Sequence, residues 1–253
     1  MSKGTNKERL DVILVERGLA PSRERARALI MAGQVYVGER RVDKPGTQVP
    51  TDAPCRIAES SPEQKYVSRG ALKLEKALDS FHLNPSGLLA IDVGASTGGF
   101  TQLLLERGAR RVYAIDVGHG QLAWTLRNDP RVVVMERTNI RHLTDLPERP
   151  QCAVIDVSFI SLRLVLPALA PLLTPSPTTW VVALVKPQFE AGKAEADRGG
   201  GVISDPEVHQ RVLSELRAWI PEHTPFKVED ETASPIMGRD GNREFLFLLR
   251  MAI

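Results

Sequence analysis

The sequence predicts an α/β protein: a mostly parallel sheet covered on both faces, with an antiparallel last strand, behind a small N-terminal α+β domain. Three observations predict it. From residue 66 onward, near-continuous apolar runs alternate with helical runs, the pattern of buried strands joined by crossover helices. The first of those runs ends in a turn of tiny residues, "DVGASTGG" (92–99), that opens into an amphipathic helix. Residues 9–57 show instead two short helical stripes followed by short strands.

The N-terminal elements justify themselves in order. "RLDVILVERGL" places Leu10, Ile13, Leu14 and Leu19 on one helical stripe, which Gly18 closes. "PSRERARALIMAG" starts with Ser22 as N-cap and stops at Gly33, with Ala26, Leu29 and Ile30 turned inward. The strands "QVYV" and "RVDKPGTQV" follow, joined by the turn "GERR". Arg23, Arg25 and Arg27 lie on the second helix, and Arg40, Arg41 and Lys44 on the hairpin beside it. A solvated helix face carries such residues too, but six cations on one small module suit phosphate contacts. The polar stretch "AESSPEQKY" (58–66) reads as a linker, giving domains at 1–58 and 66–253 with the linker at 59–65.

Composition narrows the class without deciding it. With 42% hydrophobic and 25% charged residues, the chain is an ordinary globular protein. Its net charge is +2, yet residues 1–65 hold 12 Lys+Arg against 9 Asp+Glu, so the basic side is N-terminal. Cys55 and Cys152 are far apart, make no metal-ligand spacing, and fit free thiols in a reducing cytoplasm. The start, "MSKGTNKERLD", has no apolar core of a signal peptide. The most apolar run, Leu164 to Leu173, is about half a bilayer span and contains Pro167 and Pro171. The expectation is a cytoplasmic protein that crosses no membrane and holds no metal.

In the second domain the strands read "LLAIDV", "RRVYAIDV", "RVVVM", "CAVIDVSF", "WVVALVKP", "FKVED" and "REFLFLLR". No helix is evident in "ETASPIMGRDGN", so the last two strands form a hairpin and the final one runs antiparallel. A dinucleotide fingerprint requires G-x-G-x-x-G, but the spacing here is Gly94-x-x-x-Gly98-Gly99, with Ser96 at the middle position. Asp92 precedes the turn, and Asp116 ends the next strand, where a carboxylate can accept both ribose hydroxyls. Adenosine with an amino-acid tail, as in S-adenosylmethionine, satisfies that pattern. Beyond the strand ends lie Asp156, Lys186 and, because its strand is reversed, Glu244. Lys73 sits on the helix before the first strand. Four ionisable residues brought to one sheet edge mark a site.

Two resemblances add to this reading. "RLDVILVERGLAPSRERARALIMAGQVYVGERRV" resembles the S-four-type RNA-binding domain, which implies that the basic helix and hairpin bind structured RNA. Nearly the whole chain resembles the haemolysin A (TlyA) family, through "YVSRGALKL", "DVGASTGGFT", "AIDVGHGQLAW", "IDVSFISL", "VKPQFE" and "GNREFLF". That family joins such a domain to an FtsJ-like RNA ribose 2′-O-methyltransferase with a Rossmann-like, S-adenosylmethionine-dependent sheet.

The resemblance implies a Lys-Asp-Lys-Glu catalytic set at Lys73, Asp156, Lys186 and Glu244. It also implies cofactor contacts at Gly94, Ser96, Gly98 and Asp116, with Asn139 near the adenine. Lys186 is expected to be the base, oriented by Asp156. Lys73 would hold the ribose or phosphate, and Glu244 would orient a lysine. Arg69, Lys193 and Arg198 could extend the basic track, and the loop "EAGKAEADRGGGVISD" (190–205) is a candidate lid or a plain surface loop. The partner implied is ribosomal RNA or a ribosomal subunit. A non-catalytic assembly factor and a cytolysin remain as alternatives. The intact four-residue set weighs against the first, and the lack of a spanning or basic amphipathic helix against the second.

Overall fold

The computed structural model describes residues 7–20, 22–31, 33–57, 65–192, 195, 200–238 and 241–252. The chain divides into two compact units, Met1–Ser61 and Pro62–Ile253.

In the first unit, helices α1 (Leu10–Glu16) and α2 (Arg23–Met31) pack around Leu10, Ile13, Leu14, Ala26 and Ile30. Gly18 and Gly33 end them with φ of 69° and 67°, a left-handed conformation that a side chain disfavours. The Arg25 amide donates to Ser22 Oγ at 3.2 Å, so Ser22 does cap α2. Leu19 lies beyond the end of α1 and is only half-buried.

The strands depart from the expected single hairpin. β2 (Val35–Val37) is central between β3 (Arg40–Val42) and β5 (Cys55–Ile57), whereas β4 (Gln48–Pro50) pairs with β1 (Lys7–Arg9) in a separate ribbon. "RVDKPGTQV" is thus two strands, broken at Pro45–Gly46. β1 and β5 have three residues each, too few for alternation to register.

The second unit is a seven-stranded sheet. Its strands are β6 (Leu89–Val93), β7 (Arg111–Ile115), β8 (Val132–Met135), β9 (Cys152–Ile155), β10 (Trp180–Val185), β11 (Phe226–Ala233) and β12 (Phe245–Met251). Their spatial order is β11-β12-β10-β9-β6-β7-β8, parallel throughout except that β12 runs antiparallel to both neighbours. The side-chain period of two sorts the strands onto two cores. Ala90, Val112, Val154 and Val182 face α3 (Gly70–Ser80) and α4 (Gly99–Glu106). Ile91, Tyr113, Ile155 and Val181 face α6 (Leu162–Leu169) and α8 (Pro206–His223). Shorter helices α5 (Trp124–Arg127) and α7 (Pro187–Glu190) follow β7 and β10.

The apolar run that begins near Leu164 is α6 with the 3₁₀ turn after it, and its inward face is Leu162, Val165, Leu166 and Leu169. Among the described residues no helix is long and apolar enough to cross a membrane. β6 has β7 on one side and β9 on the other, so the connections leave it in opposite directions. The crevice beyond the carboxyl ends of β6 and β9 is where an open α/β sheet has room for a ligand.

Candidate active site

The turn after β6 can be built only from small residues. A Cβ on Gly94 (φ 88°) would run into the Asp156 carbonyl, and one on Gly98 (φ 98°) into Leu122 and Leu126. A Cβ on Gly99 would strike Ser68 Oγ and stand 3.0 Å from the Ala71 amide nitrogen, so Gly99 lets the start of α3 close onto the turn. Ser96 at the apex adopts φ 48°, sparsely populated for a residue with a side chain. The Gly94 and Ala95 amides both donate to the Ile115 carbonyl, at 2.8 and 3.0 Å.

The two acids at this turn are placed differently. Asp92 is fully buried on the α3/α4 face; its Oδ2 accepts from Thr101 Oγ1 at 2.7 Å, and its Oδ1 has no partner among the described residues. Burial pushes this carboxyl up to about 7, helped by the charges of Asp156 and Asp116 and opposed by the Thr101 hydroxyl. Asp116 is half-buried and accepts from the Ser96 amide at 2.8 Å and the Gly118 amide at 2.7 Å, one on each oxygen. A carboxylate has about four acceptor positions, so ribose hydroxyls can still be taken. Asn139 uses its side-chain oxygen to cap the 140–142 turn through the Arg141 amide, which leaves its NH₂ for a ligand.

Glu136 went unnoticed in the sequence, where it reads as a polar strand end. It holds the loop facing Ser96, accepting from the Gln121 amide at 3.2 Å and from Arg127. The Gly120 amide, with Arg127 and the Leu122 amide, brings its carboxyl down to about 2. Gln121 Oε1 in turn accepts from Ser96 Oγ at 3.3 Å. A nucleoside with a cationic tail fits this cradle: glycines where its backbone must approach, acids at both ends, and one buried carboxylate oxygen unpaired.

Four ionisable side chains form a row beside the turn. Lys73 Nζ forms an ion pair with Glu244 Oε2 at 2.6 Å and stands 3.9 Å from Asp156 Oδ2. Asp156 Oδ1 faces Lys186 Nζ at 2.6 Å, and Lys186 also donates to Ser158 Oγ at 2.9 Å. Lys73 and Lys186 are each 7% exposed and Glu244 4%, burial that charged residues adopt only when paired. The antiparallel β12 delivers Glu244, and Gly238 makes room for it, since a Cβ there would hit its carboxylate. A cleft of about 490 Å³ reaches this row at Lys73 and Asp156, and Arg69, Ser96, Phe100 and Met237 are among its other lining residues. Arg69 therefore lies on the cleft itself.

The family model for FtsJ-like methyltransferases matches residues 66–251, and one for the S4 domain matches residues 8–53. The chain belongs to the FtsJ-like methyltransferase family. It is 51% identical to "Putative rRNA methyltransferase YqxC" of Bacillus subtilis over 97% of this chain and 86% of that one. It is 47% identical to the 16S/23S rRNA (cytidine-2'-O)-methyltransferase TlyA of Mycobacterium tuberculosis, over 96% and 89%. A solved structure titled "Putative hemolysin from Streptococcus thermophilus" superposes with a TM-score of 0.73 at 44% identity, over 98% of this chain and 90% of that one.

Within this FtsJ-like unit, strand β9 stops at Ile155, so "DVSF" is not strand as expected. Phe159 instead turns out with φ 64°, 83% exposed, its ring 5.1 Å from that of Phe189. Nothing in the sequence distinguished this phenylalanine from a core residue. The 190–205 segment is anchored at both ends: Glu190 accepts from Ser161 Oγ at 2.6 Å and the Leu162 amide at 2.7 Å, and the Ile203 amide donates to Asn242 Oδ1 at 3.0 Å. Lys193, Arg198 and residues 58–64 of the expected linker lie outside the described residues.

In the S4 unit Arg25, Arg27, Arg40, Arg41 and Lys44 are exposed. Arg41 lies across Gly33 at the end of α2, so helix and hairpin do adjoin. Arg23 is different. It shares Oδ2 of the buried Asp11 with Arg9, at 3.3 and 2.9 Å. The Arg9 hydrogen bond, more than any other contact, holds the Asp11 carboxyl below its usual range.

Proposed function

We propose that the protein transfers a methyl group from S-adenosylmethionine to a ribose 2′-hydroxyl of ribosomal RNA, in the cytoplasm. The observation that carries this reading is the contiguous row Glu244–Lys73–Asp156–Lys186 at the cleft beside the glycine turn. The M. tuberculosis relative, whose name specifies a cytidine 2′-O-methyltransferase of 16S and 23S rRNA, aligns over 96% of the chain.

S-adenosylmethionine supplies an electrophilic methyl on a sulfonium, and the protein's task is to align and deprotonate the hydroxyl. Gly94, Ser96 and Gly98 shape the turn that would hold the cofactor, with Asp92 below it. Asp116 would accept from the ribose hydroxyls of the cofactor and Asn139 would meet the adenine. Lys186 takes the proton from the substrate hydroxyl. Asp156 sets its position through the 2.6 Å contact. Lys73, oriented by Glu244, binds the substrate ribose or phosphate, and Arg69 at the cleft rim contacts the RNA backbone. The exposed Arg25, Arg27, Arg40, Arg41 and Lys44, together with Arg23, give the S4 unit its phosphate contacts.

The deciding experiment follows tritium from labelled S-adenosylmethionine into ribosomal subunits that lack the modification. Wild type is expected to incorporate label at ribose in an alkali-stable linkage. Lys186→Ala is expected to fall by roughly 10²–10⁴-fold, the range for a general base, while binding cofactor nearly as well. Lost cofactor binding in that variant, or incorporation equal to wild type, overturns the assignment of Lys186.

A further inference from the structure

A neutral amine that serves as a base has four directions around nitrogen: one to its own carbon, two N–H bonds, and one lone pair. At Lys186 two of these directions are already fixed by acceptors. Asp156 Oδ1 lies 2.6 Å from Nζ and Ser158 Oγ 2.9 Å, and among the described residues no third acceptor faces it. Asp156 alone would fix one of the three positions around the Cε–Nζ bond and leave the lone pair a choice between the other two. A second acceptor at Ser158 removes that choice.

We propose that Ser158 is a positioning residue for methyl transfer: by accepting one N–H of Lys186 while Asp156 accepts the other, it leaves the lone pair a single direction, toward the substrate hydroxyl. The inference rests on Lys186 being the base. In the step itself, the O2′–H proton moves to Lys186 Nζ and the oxygen forms a bond to the methyl carbon. The carbon–sulfur bond breaks with its electron pair staying on sulfur, which becomes a neutral thioether. The ammonium so formed keeps its contact with Asp156 and its hydrogen bond to Ser158, so no reorganisation is needed as charge develops. Ser158 is itself exposed on the turn after β9, two residues after Asp156, so its hydroxyl can donate outward to water while its oxygen accepts from the lysine. The short excursion Asp156–Val157–Ser158 thus supplies both acceptors from one piece of chain, which couples their positions.

The test is steady-state methylation of the unmodified ribosomal subunits by the full chain, comparing Ser158→Ala, Ser158→Thr and Lys186→Ala, with cofactor binding followed by calorimetry. Because Ser158 is exposed, its replacement leaves the core intact, and unchanged cofactor affinity checks this. Ser158→Ala is expected to lower kcat by about 10- to 100-fold, the cost of a misaligned reacting group, with KM for RNA and cofactor within about twofold. Ser158→Thr, which keeps the hydroxyl, is expected to restore most of the rate. A Ser158→Ala enzyme with wild-type kcat, a loss confined to KM, or a threonine variant as slow as alanine overturns the role of Ser158. Full activity in Lys186→Ala overturns the base assignment and this inference together. A silent Lys186→Ala beside a normal Ser158→Ala overturns the inference alone.

Discussion

Five surface cations of the S4 unit and the two lysines beside the glycine turn are held in opposite ways. Arg25, Arg27, Arg40, Arg41 and Lys44 stand exposed on short elements. Lys73 and Lys186 are almost wholly buried, each against a carboxylate at 2.6 Å. Exposed charges act nearly independently and are screened by salt. Buried ones depend on one another, because removing either partner strands the other in a medium that solvates it poorly. The surface thus tolerates the loss of any one cation, and the buried row does not.

The largest effect expected from this contrast is on stability. Lys73→Met leaves Glu244 buried without its counter-charge and is expected to cost about 3–5 kcal/mol in urea unfolding. Adding Glu244→Gln should recover much of that loss, so the double variant is more stable than Lys73→Met alone. A double variant whose cost equals the sum of the two single ones would show the pair to be uncoupled, and the contrast with the surface arginines would fail.

Asp92 extends the comparison to a buried acid with no cation beside it. An unfolded aspartate titrates near 3.9, whereas burial holds Asp92 at about 7. Between these values the folded chain binds more protons than the unfolded one, so stability from this group falls as pH rises. Its contribution is full below about pH 4 and is lost by the time the pH passes 7. Asp92→Asn should therefore gain on wild type between pH 5 and pH 8, by at most about 1.4 kcal/mol per pH unit. Urea midpoints at the two pH values measure it; an equal difference at both would mean that Asp92 is ionised throughout.

How far the sequence revealed all this varies by region. Strand period and crossover logic were enough to bring Asp156 and Lys186 to one edge, and the reversed last strand brought Glu244 there, whereas Lys73 lies on the helix before the first strand and its role came from the family resemblance. The glycine turn was equally legible, since its spacing states a steric need. Ser158 and Phe159 were not, because "CAVIDVSF" keeps a strand composition after the chain has left the sheet. β9 pairs with β6 only as far as Ile155, and the turn at Gly94 then crosses the Asp156 carbonyl. Asp11 was hidden for a different reason. On a helical wheel it is a polar position, and only the fold buries it and brings Arg23 to it beside its sequence neighbour Arg9. Glu136 likewise earns its role from the 120–122 loop, a contact no local pattern encodes.

A smaller effect separates backbone strain from collision. Gly94 and Gly87 both have left-handed φ, 88° and 74°, but a Cβ at Gly87 meets nothing within 4 Å. Gly87→Ala is expected to cost about 1–2 kcal/mol from the backbone alone and to spare cofactor binding. Gly94→Ala adds the clash with Asp156 and should cost more, with cofactor affinity measured by calorimetry down at least about tenfold. Equal costs at the two positions would mean that the turn yields, and that its close approach to Asp156 is not required.

The smallest effects belong to the exposed arginines. If they meet phosphates as proposed, Arg25→Ala and Arg27→Ala should each weaken rRNA binding by less than about 1 kcal/mol. Each should also reduce the slope of log affinity against log salt by about 0.7–0.9, one phosphate contact's worth. Filter binding over a potassium chloride series measures both. Arg23→Ala should stand apart from these two, because it also removes one of the two guanidinium partners of the buried Asp11. It is expected to lower the melting temperature of the S4 unit as well as the affinity, whereas Arg25→Ala and Arg27→Ala leave melting unchanged. A collapse of binding on replacing Arg25 alone would show that the surface cations act as one network, like the buried row. The difference between the two units would then lie in exposure and not in how their charges cooperate.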